Sequence, residues 1–224
     1  MHKRSNHRRG FTLMELLVVI AIIALLVTVM VPVIIGFMKG RGLSMAGNNI
    51  GGLVAFARSE AMNARQPHVI VCFTEREMID DSGPVKLYAG PGMAVYRINS
   101  EPTLEDPEIN YLKQLDFEGA IGGDVAFSSR WIRESPKGPI QPYLTDAANR
   151  AFSDKYKIVV LPDGRLIIPE DKPGYILDTD ETKNLNTDLA LTDGDSFVYL
   201  DVNAATGAVK RSVVFDREEV GEVD

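Results

Sequence analysis

A single carboxylate stands at the start of a long apolar stretch, and it is the strongest chemical signal in the sequence. Glu15 is followed by residues 16–38, which contain no charged side chain. An ionised group at the centre of a membrane-spanning helix costs about 2.5–3.5 kcal/mol, and less near an end. Thr12 precedes Glu15 by three residues, and this spacing fits a capping box at a helix N-terminus. A cap explains the carboxylate without assigning it a function.

Other reactive side chains lack the spacing of a catalytic or metal-binding motif. Cys72 alternates within an apolar segment, which predicts a small buried side chain rather than a nucleophile. The three histidines, His2, His7 and His68, show no metal-ligand spacing. We therefore predict that the protein is not an enzyme and holds no resident cofactor.

Acidic residues between 178 and 195 form the one candidate ion site in the sequence. Carboxylate oxygens in a flexible loop suit calcium, and the candidate ligands are Asp178, Asp180, Asp193 and Asp195. Their spacing matches no EF-hand, and acidic loops are commonly only solvated. We expect no bound metal, with calcium at these four residues as the weaker alternative.

The apolar stretch is long enough to cross a bilayer. As a helix, residues 16–38 would be about 35 Å long, against about 30 Å of hydrocarbon. Residues 1–10 hold four basic side chains and no acid, so the net charge of −7 leaves −11 on the rest of the chain. This asymmetry predicts a cytoplasmic N-terminus and an external C-terminal domain. An ordinary secretory signal is disfavoured, because its apolar region would span only about 7–15 residues.

The segment around Glu15 carries a more specific pattern. Residues 8–16 read RRGFTLMEL: a basic leader ends at Gly10, Phe11 follows, and Glu15 is the fifth residue after the leader. This pattern resembles the processing site of type IV prepilins and type II secretion pseudopilins. The resemblance implies that a prepilin peptidase cleaves between Gly10 and Phe11 and that the Phe11 amine is methylated. It also implies that Glu15 of one subunit pairs with the Phe11 amine of a neighbour.

The sequence divides into four predicted segments. They are a leader (1–10), a transmembrane helix (11–38), an amphipathic stem helix (39–66) and a β-rich domain (67–224). Pro32 removes a hydrogen bond within the transmembrane helix, which predicts a kink or local melting. In the stem, apolar residues recur every three or four positions, at Leu43, Ala46, Ile50, Leu53, Ala57 and Ala61. That spacing predicts one apolar helix face.

Strand signals begin after Pro67. Residues 68–73 read as a buried strand, and three hairpins are predicted, over residues 85–98, 157–168 and 196–215. No strand–helix–strand alternation appears, so the sheet should be antiparallel. Residues 99–155 hold five prolines and read as an insertion that decorates the domain, anchored by Trp131 and Ile132. The predicted fold class is α+β: a long N-terminal helix packed on antiparallel sheet, as in pilins.

Three short segments resemble the GspH/FimT family of minor pseudopilins and minor pilins. They are residues 57–61 (ARSEA), residues 162–165 (PDGR) and Thr206-Gly207 in the last hairpin. Some members of the FimT branch bind DNA through a basic C-terminal region. Here the basic residues Lys210, Arg211 and Arg217 stand among five acids, so nucleic-acid binding is not expected.

The leading hypothesis is a structural subunit of a type II secretion pseudopilus or a type IV pilus. Its expected partners are other pilin or pseudopilin subunits, a prepilin peptidase and assembly platform proteins. It would cross a bacterial inner membrane once, with its C-terminal domain in the periplasm. The alternative is a membrane-tethered binding module that captures an exoprotein or another ligand at a pilus tip.

Overall fold

The structure is a computed structural model of the 224-residue chain. It describes residues 13–38, 41–74, 77–79, 87–89, 91–99, 101–103, 108–117, 125–128, 131, 143–169, 188–212 and 215–216. The chain divides into two compact units, Met1–Lys39 and Gly40–Asp224.

The first unit contains one apolar helix, α1 (Leu13–Met38). Its polar hydroxyl at Thr28 donates to the carbonyl oxygen of Ala24 at 2.8 Å, which satisfies that group inside the helix. The helix continues through Pro32, so the local melting predicted there is not observed. A bend at Pro32 stays a prediction. The span Leu13–Val31 is long and apolar enough to cross a membrane, by length and composition alone.

The second unit begins with α2 (Arg41–Ala64), an amphipathic helix. Its buried residues are Leu43, Ala46, Gly47, Ile50, Leu53, Val54, Ala57 and Ala61. All six positions predicted from the three- and four-residue spacing are among them, so the predicted apolar face is confirmed. The remaining buried positions, Gly47 and Val54, extend the same face.

The strands that follow are β1 (His68–Phe73), β2 (Glu77–Ile79), β3 (Leu87–Ala89), β4 (Gly92–Ile98), β5 (Ile109–Asp116), β6 (Ala126–Phe127), β7 (Lys157–Val160), β8 (Leu166–Ile167), β9 (Leu189–Thr192), β10 (Ser196–Val202), β11 (Val209–Arg211) and β12 (Phe215–Asp216). A short helix, α3 (Asp146–Ala151), lies between β6 and β7 in the chain. Every described strand pairing is antiparallel, as predicted.

The first sheet has the order β5-β4-β1-β7-β8. The hairpin predicted over residues 157–168 is confirmed, because β7 pairs with β8. The hairpin predicted over residues 85–98 is wrong: β3 pairs with β2, and β4 lies between β1 and β5. The β4 strand pairs with β1 and β5 along its length, and the Gly-Pro-Gly signal between β3 and β4 marks a connection between two sheets.

The second sheet has the order β11-β10-β9-β6, and β12 also pairs with β10. The hairpin predicted over residues 196–215 is confirmed, with its second arm divided between β11 and β12. Gly47 of α2 allows a close approach of this sheet. A Cβ atom on Gly47 would lie 3.3 Å from Cδ2 of Leu200 on β10.

The first sheet is covered on both faces. One face packs in the same core cluster as the buried face of α2, and it includes Ile70 and Cys72 of β1. The other face, with Val69 and Val71 of β1, packs with Ala148 of α3. Because successive residues of a strand point to opposite faces, β1 can be apolar throughout, and all six of its residues are buried.

Two described parts of residues 99–155 are strands of the two sheets. The β5 strand is an edge of the first sheet, and β6 pairs with β9 in the second. The interpretation of the whole range as an insertion stays a prediction. Trp131 is buried, as predicted, and its Nε1 donates to the Asp188 carbonyl oxygen at 3.0 Å. Ile132 lies outside the described residues.

Arg65 follows the last residue of α2 with φ of +54°, a left-handed conformation that favours glycine. We expect Arg65→Gly to raise the free energy of unfolding by about 0.5–1 kcal/mol, because glycine adopts this conformation without strain. Ala55→Gly, on the exposed face inside α2, is the control and should lower stability by about 1 kcal/mol. Urea unfolding measures both, and a loss of stability in Arg65→Gly would contradict the prediction.

Candidate functional site

Most residues of the predicted processing site and of the predicted capping box are not among those that the structure describes. Gly10, Phe11 and Thr12 lie outside the described residues, so the cleavage site and the capping box stay predictions. Glu15 lies in the first turn of α1, and its side chain is exposed. It is the only charged residue of the 26-residue helix. The pairing of Glu15 with a neighbouring chain also stays a prediction.

The apolar side chains of the first nineteen residues of α1 are exposed. Over Leu13–Val31, the part of the helix whose side chains the structure describes, none of the residues is buried. A helix that is apolar on all sides and buried by nothing in its own chain needs lipid or other chains around it. By length and composition, this part of α1 can cross a membrane.

Arg58 of α2 joins the stem helix to both sheets. Its Nε donates to the Gly164 carbonyl oxygen at 2.8 Å, and Gly164 lies in the β7–β8 turn. Its two terminal nitrogens donate to the carbonyl oxygens of Thr206 at 2.6 Å and Ala205 at 3.4 Å, in the β10–β11 turn. We call Arg58 together with these two turns, residues 162–165 and 203–207, the Arg58 junction. The rigid fork of a guanidinium suits this three-acceptor geometry.

The β7–β8 turn is held by hydrogen bonds of its own, in addition to the one that it accepts from Arg58. The Gly164 N–H donates to the Leu161 carbonyl oxygen at 2.9 Å, and the Asp163 carboxylate accepts from the Arg165 N–H at 3.0 Å. That backbone hydrogen bond, with a further one from the Arg165 side chain, lowers the pKa of Asp163. Gly164 has φ of +83°, and a Cβ atom there would lie 3.0 Å from Nε of Arg58. Glycine is therefore required by both the turn and the close approach.

The β10–β11 turn is fixed by Asn203. Its side-chain oxygen accepts from the N–H groups of Ala205 at 3.1 Å and Thr206 at 2.9 Å. Gly207 has φ of +70°, and a Cβ atom there would lie 3.3 Å from Cδ of Arg58. The two turns are also joined directly, because the Leu166 N–H donates to the Ala204 carbonyl oxygen at 2.8 Å. The junction therefore holds α2 and the two sheets at one point.

The Arg58 junction brings together the three segments that resemble the GspH/FimT family. Residues 57–61 supply Arg58, residues 162–165 supply the first turn, and Thr206-Gly207 belongs to the second. In the sequence, Arg58 lies 106 residues before Gly164 and 148 residues before Thr206, so the contact between these segments cannot be inferred from spacing. The available signal was a charged residue beside the predicted apolar face of the stem, next to Ala57.

Cys72 is buried, as predicted, and burial raises the pKa of its thiol well above the ordinary value. A neutral buried thiol behaves as a small apolar side chain rather than as a nucleophile. Lys157 was not singled out by its sequence context. It is buried, and its Nζ donates to the Phe152 carbonyl oxygen at 2.8 Å, just beyond α3.

The structure describes two of the four acidic candidates. Asp178 and Asp180 lie outside the described residues. Asp193 and Asp195 lie in the β9–β10 turn, where the Asp193 carboxylate accepts from the N–H groups of Asp195 at 3.2 Å and Ser196 at 2.8 Å. Within the described ranges, no group of three or more candidate ligands is arranged to hold a metal ion. Calcium binding stays a weaker prediction.

Two of the C-terminal basic residues lie on the surface of the second sheet. Lys210 and Arg211 are exposed on β11, and Asp201 of β10 is the cross-strand partner of Lys210. The side chain of Arg211 lies along α2, because a Cβ atom on Gly47 would be 3.2 Å from its Cδ. Arg217 lies outside the described residues. An acid thus directly faces one of the two described cations.

Residues 5–31 match the family model of the prokaryotic N-terminal methylation motif. This match supports the type IV pilin and pseudopilin class. It spans Gly10, Phe11 and Glu15 and most of α1, and it indicates a structural subunit rather than an enzyme. Comparison with curated proteins and with solved structures gives no match. The order of elements, an apolar N-terminal helix followed by antiparallel sheets, agrees with a pilin-like fold.

Proposed function

We propose that the protein is a minor subunit, of the GspH/FimT type, of a type II secretion pseudopilus or a type IV pilus. It is made as a single-pass precursor, trimmed after Gly10 and assembled through its N-terminal helix. One observation carries the proposal. The methylation motif over residues 5–31 includes the start of a helix in which none of the apolar side chains over Leu13–Val31 is buried.

Trimming creates the chemical group that assembly uses. Cleavage after Gly10 leaves a new amine at Phe11, close to the membrane edge. Glu15 of one subunit then pairs with the Phe11 amine of its neighbour. At about 4 Å and an effective dielectric constant near 20, this attraction is about 4 kcal/mol before desolvation costs. A single charge pair on a uniformly apolar rod also fixes the axial offset between helices.

The stem helix connects the filament core to the external domain. Eight residues of α2 are buried in the second unit, and the Arg58 junction ties its C-terminal half to both sheets. The domain is therefore carried with α2 when neighbouring helices bundle. The contact between the three family-like segments supports the GspH/FimT assignment, because all three segments contribute to the Arg58 junction.

The proposed location and partners follow from the same mechanism. The precursor resides in a bacterial inner membrane, with the N-terminus in the cytoplasm and the sheets in the periplasm. Its partners are other pilin or pseudopilin subunits, a prepilin peptidase and assembly platform proteins. We assign it no cofactor. If the weaker calcium alternative held, Asp193 and Asp195 would be its described ligands.

We expect the mature protein to start at Phe11. Intact-mass measurement of the membrane-extracted chain should show the loss of residues 1–10 and the gain of one methyl group. Gly10→Val is the control and should keep the full-length mass, because a side chain at this position obstructs entry of the backbone into the peptidase. A mature chain that starts at residue 47, as after ordinary signal cleavage, would overturn the proposed function.

A further inference from the structure

His68 lies at the joint between the stem helix and the first sheet. It is the first residue of β1, and only residues 65–67 separate it from the end of α2. Its side chain is fully buried. The chain has three histidines, and the other two, His2 and His7, lie in the predicted leader. In a chain without that leader, His68 is the only side chain whose ordinary pKa lies near neutrality.

The hydrogen bonding of His68 fits the neutral ring only. Its Nδ1 lies 2.9 Å from the Gln66 carbonyl oxygen, and since a carbonyl only accepts, Nδ1 carries the hydrogen. Its buried Nε2 has no hydrogen-bond partner among the described residues. Protonation would add a second N–H at Nε2, in a position without an acceptor. Leaving a buried charged donor unsatisfied is strongly unfavourable.

The charged groups around His68 come from two elements. Glu60 of α2 favours the protonated ring, and Arg97, the β4 residue paired with His68, disfavours it. On the other side, β7 places the uncharged Val160 opposite His68, and its Lys157 points to the other face of the sheet. Burial is the largest effect and lowers the pKa of His68 below 6.5. The Gln66 carbonyl and Glu60 oppose this shift only in part.

Three hydrogen bonds between described residues fix the segment at the joint. The Pro67 carbonyl oxygen accepts from the Ile98 N–H at 2.9 Å, and the Gln66 side chain donates to the Asn99 side-chain oxygen at 3.3 Å. The bond from His68 to Gln66 fixes the same short segment. An imidazolium that moves toward water breaks that bond, and the segment between α2 and β1 then loses one of its fixed points.

We propose that His68 makes the α2–β1 joint acid-sensitive: protonation of its ring opens the joint and releases the end of the stem helix from the first sheet. The sign follows from proton binding. The open joint exposes an ordinary histidine, which binds more protons below pH 6.5 than the buried ring does. The closed joint is therefore fully stable above pH 6.5 and loses stability as the pH falls below it.

Hydrogen exchange of the full-length chain in detergent micelles tests this proposal. We expect the opening constant reported by the Ile98 amide, corrected for intrinsic exchange, to rise up to about tenfold between pH 7.5 and pH 5.5. His68→Asn is the matched control, because its side-chain NH₂ can donate to Gln66 and does not titrate. Its opening constant should stay constant. Equal pH dependence in the two proteins overturns the proposal.

A second measurement keeps the test decisive if His68→Asn does not fold. In a chain with His2 and His7 replaced by glutamine, the only imidazole resonances belong to His68. We expect these resonances to titrate below pH 6.5, and a midpoint at or above 6.5 overturns the proposal. Because neither measurement needs leader removal or filaments, the outcome is independent of the proposed assembly function.

Discussion

Glu15→Val is expected to abolish incorporation into filaments while membrane insertion and leader removal persist. Valine removes the only charge of α1, so insertion becomes easier. Cleavage continues, because it depends on Gly10 and the basic leader. Assembly fails because an apolar side chain cannot neutralise the Phe11 amine of a neighbouring subunit, which then stays unpaired at the lipid edge.

Glu15→Gln separates this mechanism from the capping box. Glutamine serves as well as glutamate in a capping box, so a cap alone predicts normal assembly of the Gln variant. For the Val variant, a cap predicts only a local loss of about 0.5–2 kcal/mol of helix stability. A charge pair predicts that both variants fail. The measurement is the amount of mature protein in membrane and sheared-filament fractions of the native assembly system. Normal filament incorporation of Glu15→Gln, with or without that of Glu15→Val, would remove the charge-pair mechanism.

The stem helix and the tight hairpins could be predicted from sequence because their signals are local. Leu43 and Ile50 mark a face that depends only on helical spacing, and that face is buried in the structure. The turn at residues 162–165 depends on a proline, an aspartate and a glycine in adjacent positions, and Gly164 does adopt positive φ. Such features form from short-range steric effects, and they are retained in the tertiary structure.

Contacts between distant segments could not be predicted in the same way. The β3 strand has a glycine- and proline-rich link to β4 but pairs with β2, because β4 is paired on both edges. Asp188 lies in the same acidic stretch, residues 178–195, as the candidate calcium ligands. In the structure it is buried, and its carboxylate accepts from the Val202 N–H at 2.6 Å. Asp188 accepts hydrogen bonds from Val202 and Trp131, and these residues come close to it only in the folded chain.

The Arg58 junction is another contact between distant segments that the sequence does not predict. Its loss is the second large effect that we expect. Arg58→Ala should lower the free energy of unfolding of the second unit by about 2–4 kcal/mol. The change removes three donors and leaves the carbonyl oxygen of the buried Gly164 without its partner. It also removes the side chain that lies over Gly207. Chemical denaturation of the full-length protein, followed by circular dichroism, measures the loss.

Arg165→Ala is the matched control, because this arginine is in one of the same turns and its side chain forms an exposed pair with Asp163 at 2.7 Å. Exposed pairs of this kind add little stability, so its midpoint should stay close to that of the unchanged protein. Arg58→Lys tests the geometry. A lysine keeps the charge but lacks the planar fork, and it should recover only part of the loss, since one ammonium cannot reach both turns in the same directions. If Arg58→Ala and Arg165→Ala shift the midpoint equally, Arg58 is a surface residue and the stem helix is held to the sheets by its apolar face alone.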